Sequence, residues 1–177
     1  MHNIIDSILS GSEVTVPDQL EPALQGFLKW RRQFIHWELL GTEVTVWHDL
    51  SLYAGTVDAL WYDPEANEYI VCDWKTSSGI YDTAAMQVCA YAVALRNMIC
   101  SPFNTEAREF RPVSVRGMIV RFDNAYPTFT VLDTNGKKKK VKDRTQPKIF
   151  TNKVQYTWID IADWFPAFVC CLNLSRD

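Results

Sequence analysis

The sequence predicts one α/β domain: a helix, three strands, a second helix, one or two strands, and a closing helix. Three observations carry this reading. Between Tyr53 and Ser77 two apolar stretches alternate as strands do, on either side of the turn signal Asp63-Pro64-Glu65-Ala66-Asn67. Ala84 to Ile99 is a longer run dominated by good helix formers, which no strand of ordinary length accommodates. A chain of 177 residues, 47% hydrophobic and with seven Trp, can bury a full core but has little room for a second. Residues 1–177 are therefore one domain, its core about 18–175, with a basic hairpin or loop over about 134–148.

Pro17 to Leu40 reads as the first helix, with Leu20, Leu24, Phe27, Phe34 and Trp37 on its apolar side. Lys29, Arg31 and Arg32 lie along it, either as a solvated face or as contacts for phosphates. Glu43 to His48 alternates like a strand that begins at Glu43. Tyr53 to Trp61 and Tyr69 to Ser77 follow as a short-looped antiparallel pair. Asp82-Thr83 is a plausible N-cap for the Ala84–Ile99 helix, which is apolar nearly all round and so predicted to be buried. Ser101 to Arg111 reads as a loop or short helix. Val113 to Asp123 and Thr128 to Asp133 read as paired strands around the turn at Asp123–Pro127. Trp158 to Leu174 reads as the closing helix, with Phe165, Phe168, Val169 and Leu172 toward the core.

The chemistry concentrates in Asp73-Trp74-Lys75. Strand side chains alternate, so Asp73 and Lys75 share a face with Tyr69 and Val71, while Ile70, Cys72 and Trp74 take the other. Two charges on one face of an apolar strand suggest a joint task, because buried charge is costly; a solvated ion pair is the plain alternative. Asp58 stands fifteen residues upstream, and a hairpin can bring it beside Asp73. Like charges there repel, and a divalent cation between them would remove the penalty; the alternative is two acids pointing separately into solvent. With Glu43 on a neighbouring strand, three carboxylates would make the oxygen-rich shell that Mg2+ or Mn2+ prefers. Lys75 would orient or help deprotonate an attacking water and stabilise charge building on a phosphate. Gln87 and Tyr91, spaced i, i+4, share one helix face. Buried, they need hydrogen-bond partners, which either the core or the site supplies. At the site, Gln87 would hold the substrate backbone or the Lys75 region.

Gly55-Thr56-Val57-Asp58, Val71-Cys72-Asp73-Trp74-Lys75-Thr76 and Gln87-Val88-Cys89-Ala90-Tyr91-Ala92 together resemble the RecB-like branch of the PD-(D/E)XK nuclease superfamily. That branch shows a Gly-x-x-Asp strand, an Asp-x-Lys-Thr strand and a helix with Gln-x-x-x-Tyr, in this order. The wording is closest to small phage nucleases and mitochondrial genome-maintenance exonucleases, in which an upstream Glu opens the first strand. The resemblance runs from about Leu20 to the last helix, with sharp motifs only between Glu43 and Ala92. It implies a three-layer α/β/α sandwich with a central mixed sheet and a restriction-endonuclease-like core. It further implies a Mg2+- or Mn2+-dependent deoxyribonuclease with Glu43, Asp58 and Asp73 as metal ligands, Lys75 assisting catalysis, and Gln87 and Tyr91 shaping the site. The implied action is that of an exonuclease on single-stranded or end-bearing DNA, in phage or viral replication, recombination or repair. A structure-selective endonuclease on the same fold, or an inactive nuclease fold kept as a nucleic-acid-binding module, are the alternatives. Monomers and ring-shaped trimers both occur in the superfamily, so a homo-oligomer or a replication or recombination partner fits it. Many RecB-like nucleases also place a metal-binding His on the N-terminal helix. The nearest candidate is His36, whose surroundings read as surface or packing, so Glu43 is preferred.

Asn135 to Arg144 is the one dense basic run, read as a solvated hairpin tip or as a clamp on nucleic-acid backbone. The net charge of -3 does not favour a nucleic-acid partner, but the acids include the proposed ligands. Trp30, Trp47, Trp61 and Tyr62 are candidates to stack on unpaired bases where exposed, and most of the Trp are expected in the core. Cys72, Cys89, Cys100, Cys170 and Cys171 are odd in number and lack Cys-x-x-Cys spacing, which points to free thiols in a reducing compartment and away from zinc. No Cys precedes Cys72, which argues against the iron–sulfur subtype of RecB-like nucleases. No run approaches eighteen apolar residues, so no membrane span is expected. The first sixteen residues lack a secretory signal, and a cytoplasmic location is expected.

Overall fold

The computed structural model describes residues 1–100 and 114–174. Its helices are α1 (His2–Leu9), α2 (Glu21–Gln33), α3 (Asp82–Cys100) and α4 (Ile161–Leu174). Its strands are β1 (Glu38–His48), β2 (Tyr53–Asp63), β3 (Glu68–Lys75), β4 (Ser114–Ala125), β5 (Thr128–Leu132), β6 (Lys138–Lys142) and β7 (Ile149–Ile159). A five-stranded mixed sheet has the order β1-β2-β3-β4-β7. Among the described residues only the β3–β4 pair is parallel, and α3 lies in the crossover between them. The expected α/β architecture with a mixed central sheet flanked by helices is therefore present.

Alternation along β3 sorts the core into two layers. Ile70, Cys72 and Trp74 pack with Ile5 of α1 and Ala23, Leu24, Phe27 and Trp30 of α2. Val71 joins Val46, Val57 and Ile119 beneath Ala85, Val88, Cys89 and Ala92 of α3. Trp30 sits at the centre of the first layer, 5.4 Å from Trp74 and 6.5 Å from Trp61 in edge-on geometry. The second layer is thin because Gly117 lies directly under α3, where an added Cβ would stand 2.4 Å from Val88 Cγ1.

Several boundaries differ from those the sequence suggests. The first helix begins at Glu21 with Pro22 in its opening turn and stops at Gln33; Arg31 donates to the carbonyls of Phe34 and Trp37 and lies over the Trp61 ring. Arg31 thus closes the helix end instead of facing phosphates. Strand β1 begins five residues before Glu43, and α1, not anticipated, inserts Ile5 into the core. Strand β5 pairs with β6 in a separate two-stranded sheet, not with β4. β4 pairs with β7, which takes up Trp158, so the closing helix starts only at Ile161. The predicted loop or helix at Ser101–Arg111 lies outside the described residues. Trp30 and Trp61 are core residues and not stacking platforms, and Tyr62 bonds Asn67. No helix among the described residues is long and apolar enough to cross a membrane.

Candidate active site

The end of β3 brings the predicted charges together. Asp73 is 3% exposed and Lys75 is part-buried, both facing α3. Lys75 Nζ lies 2.6 Å from Asp73 Oδ2 and donates to Gln87 Oε1 at 3.0 Å. Gln87 Nε2 in turn donates to the Tyr91 hydroxyl at 2.8 Å. A continuous polar line thus runs from Asp73 through Lys75 and Gln87 to Tyr91. Of the readings the sequence left open for Gln87, it is the Lys75 region that this side chain holds. Gly55 makes room for the line, since a Cβ there would stand 2.2 Å from Tyr91 Cε1. Gly55→Ala is expected to push the Tyr91 ring aside, cost about 1–3 kcal/mol as overpacking does, and lower activity. Chemical denaturation and a cleavage assay read the two effects separately.

Asp58 reaches the site through an irregularity in β2. Gly55 and Val57 face α3, yet Ala59 and Trp61 pack on the α2 side, so the pleat changes phase at Asp58. The β2–β3 ladder ends at Ala59–Cys72. Beyond it, Asp58 Oδ2 accepts the Trp74 backbone N–H at 2.6 Å, replacing a ladder bond with a side-chain one. This leaves Oδ1 for another partner and places the Asp58 charge near enough to raise the pKa of Asp73.

Glu43, on β1 opposite this break, has φ +50 and is exposed. A left-handed backbone is unusual for Glu and interrupts the alternation that would set its side chain by Asp58. Among the described residues no three His, Cys, Asp or Glu side chains are gathered closely enough to form a metal cage, so the expected trio is not assembled.

His36 does not fill the gap. It lies 3.6 Å from Asp63 Oδ2, at the far end of the β2–β3 hairpin, where Asp63 also accepts from Trp37 Nε1 and the Glu65 and Ala66 amides. His2 of α1 exerts the weakest of the influences on Asp73, its charge lowering that pKa, and its buried Nε2 has no hydrogen-bond partner among the described residues.

Burial is the chief influence on Asp73. It pushes the carboxyl up to about 6, against the opposing pull of Lys75, with Asp58 adding to the rise. A carboxylate held on the edge of protonation beside a second acid suits a site that receives a cation. The oxygen donors at hand are of the kind Mg2+ or Mn2+ takes: Asp58 with an oxygen beyond its bond to the Trp74 amide, and Asp73 with a buried Oδ2 paired to Lys75.

Arg121 and Asn124, which the sequence reading passed over, fix the segment leaving the site. Arg121 is 5% exposed and donates to the carbonyls of Ser77 and Ser78 at 2.9 and 3.0 Å, to Gln155 and to Asp123. Asn124 Nδ2 donates to Thr76 O at 2.6 Å. A charge inside the apolar run Met118–Phe122 was the available signal. Arg121→Met is expected to destabilise the protein by about 2–3 kcal/mol, the loss of the charge-assisted hydrogen bonds that a buried guanidinium makes to the Ser77 and Ser78 carbonyls, Gln155 and Asp123, measurable by urea unfolding.

A groove of ≈ 310 Å³ between α3 and α4, lined by Tyr53, Gln87, Tyr91 and Phe168 among others, opens beside the polar line. No protein-family model matches the chain, and no curated protein is significantly similar to it.

Proposed function

We propose that this chain is a divalent-metal-dependent deoxyribonuclease with a PD-(D/E)XK core of the RecB-like kind, acting as an exonuclease on single-stranded or end-bearing DNA. The observation that carries the reading is the line Asp73–Lys75–Gln87–Tyr91 with Asp58 docked on the Trp74 amide. A solvated ion pair needs neither the burial of Asp73 nor a glutamine relay. The RecB-like motifs fall on these same residues.

Asp58 and Asp73 would hold Mg2+ or Mn2+, with Glu43, the third ligand the resemblance implies, reaching in only if its side chain swings from solvent. When bound, such an ion supplies Lewis acidity toward a phosphoryl oxygen and a water of lowered pKa. The protein's own part is positioning. Gln87 fixes the Lys75 ammonium, Tyr91 fixes Gln87, and the ammonium presents positive charge where a phosphate gains negative charge. A phage-type replication, recombination or repair role follows from the resemblance.

The test is digestion of end-labelled linear and closed circular DNA, single- and double-stranded, with Mg2+ or Mn2+. Metal-dependent loss of linear but not circular DNA, absent in Asp73→Ala and Lys75→Ala, is the expected result. Cutting of circles would make the enzyme an endonuclease, and DNA binding without any cleavage would leave an inactive binding fold.

A further inference from the structure

The β5–β6 hairpin and the segment that follows it carry the densest run of basic residues in the sequence. Seven of the 18 lysines and arginines fall between Lys137 and Lys148, against a single acid, Asp143. That segment carries six net positive charges, which leaves the rest of the chain at −9, since the whole sums to -3. Asp143 and the neighbouring Asp133 accept bonds from local amides and a hydroxyl, and neither pairs with these lysines among the described residues. Asp133 Oδ1 accepts the Asn135 and Lys137 amides, and Asp143 Oδ1 accepts the amide and hydroxyl of Thr145. Lys138, Lys139, Lys140 and Lys142 are exposed, and no ion pair is formed by them among the described residues.

Pairing gives the charges a direction. Thr128, Thr130 and Leu132 stand opposite Lys142, Lys140 and Lys138, so these three lysines share one face of the ribbon. Phe129, Val131, Lys139 and Val141 make up the other face. The arm is also rooted at the candidate active site. β3 and β4 run parallel with Lys75 opposite Arg121, so both leave the sheet at the same end. Asn124 holds Thr76 there, and Pro127, three residues on, is tied through its carbonyl to the Asp143 amide at 2.7 Å. Lys148 lies over the Tyr126 ring at the same base.

We propose that this arm is a clamp for the phosphate backbone of the nucleic-acid strand entering the site, with Lys138, Lys140 and Lys142 as the contacting face. The identity of the polymer rests on the nuclease reading; the need for an attractive surface does not, because the remainder of the molecule repels a polyanion. A row of lysines alternating along a ribbon neutralises phosphates without reading bases, as a sequence-tolerant nuclease requires.

The experiment is fluorescence anisotropy of a short single-stranded DNA at several salt concentrations, in EDTA so that nothing is cut. It compares the wild type, the triple variant Lys138→Gln/Lys140→Gln/Lys142→Gln, its all-arginine counterpart, and Lys139→Gln from the opposite face. The triple variant is expected to bind about 100-fold more weakly at 0.1 M salt and to lose about 2 from the log–log salt slope, at roughly 0.7 per phosphate. The arginine form should bind like wild type, and Lys139→Gln should lose far less. Unchanged thermal midpoints establish that the variants fold. A triple variant with wild-type affinity and slope overturns the clamp, even where the wild type binds and degrades DNA. A lost slope in a protein that cuts no DNA with any metal keeps the clamp and overturns the nuclease. A wild type that binds no DNA overturns both.

Discussion

Asp73→Asn is expected to abolish cleavage and, in the absence of metal, to make the protein more stable. The carboxyl is 3% exposed and burial raises its pKa to about 6 from 3.8. A folded pKa above the unfolded one means that the native state binds the proton more tightly. The stabilisation this gives is fully present below pH 3.8 and is lost as pH rises through about 6. At pH 8 the ionised carboxylate therefore costs about 3 kcal/mol relative to its protonated form. The attraction of Lys75 is already contained in that pKa, so losing the ion pair adds no further penalty. Asn mimics the protonated acid in shape and charge. The thermal midpoint of the metal-free variant should exceed that of wild type by roughly 5–10 °C at pH 8, and the gap should close near pH 4. Adding Mn2+ should raise the wild-type midpoint by mass action and leave the variant where it was. Thermal scans in EDTA and in Mn2+ across this pH range measure all of it. A variant less stable than wild type at pH 8 would refute the idea that this carboxylate is held in readiness for a cation.

The sequence carried the β3 part of this site because a strand's two-residue period fixes which side chains travel together. Once Tyr69 and Val71 belong to the α3 layer, Asp73 and Lys75 must follow. The helical period did the same for Gln87 and Tyr91, whose hydrogen bond is an i, i+4 contact. Where the period breaks, the pattern misleads. Glu43 was placed by assuming regular alternation, and its left-handed backbone removes that assumption. Asp58 survived the phase change in β2 only because it bonds the Trp74 amide. Contacts made purely by packing, such as Arg121 with the Ser77 and Ser78 carbonyls, have no local signature. Strand β7 was missed for a different reason: Asn152, Lys153, Gln155 and Tyr156 are exposed, as an edge strand permits, and dilute its apolar pattern. The apolar run from Trp158 onward then drew that residue into the following helix.

Lys75→Met is expected to lower the rate of cleavage by about 10²–10³-fold, the range found when one preorganised donor to a developing anion is removed. Two further consequences separate this lysine's role from mere packing. Its ammonium is the main influence holding the Asp73 pKa down, through both hydrogen bonding and charge. Without it Asp73 should titrate above 6, and the pH at which the residual activity and Mn2+ binding appear should rise with it. The unfolding free energy at pH 8 should fall as well, because an ionised, buried Asp73 loses its counter-charge. Lys75→Arg keeps a cation near Asp73 and Gln87, so it should restore the pH midpoint while recovering only part of the rate, since a planar fork cannot occupy the position of a point charge. The measurement is a pH profile of kcat/KM for the three proteins, with Mn2+ affinity followed in parallel. Activity of Lys75→Met within tenfold of wild type, on an unshifted profile, would reduce Lys75 to a structural partner of Gln87. A profile moved to higher pH with the rate lost identifies it as the charge that both tunes Asp73 and meets the phosphate.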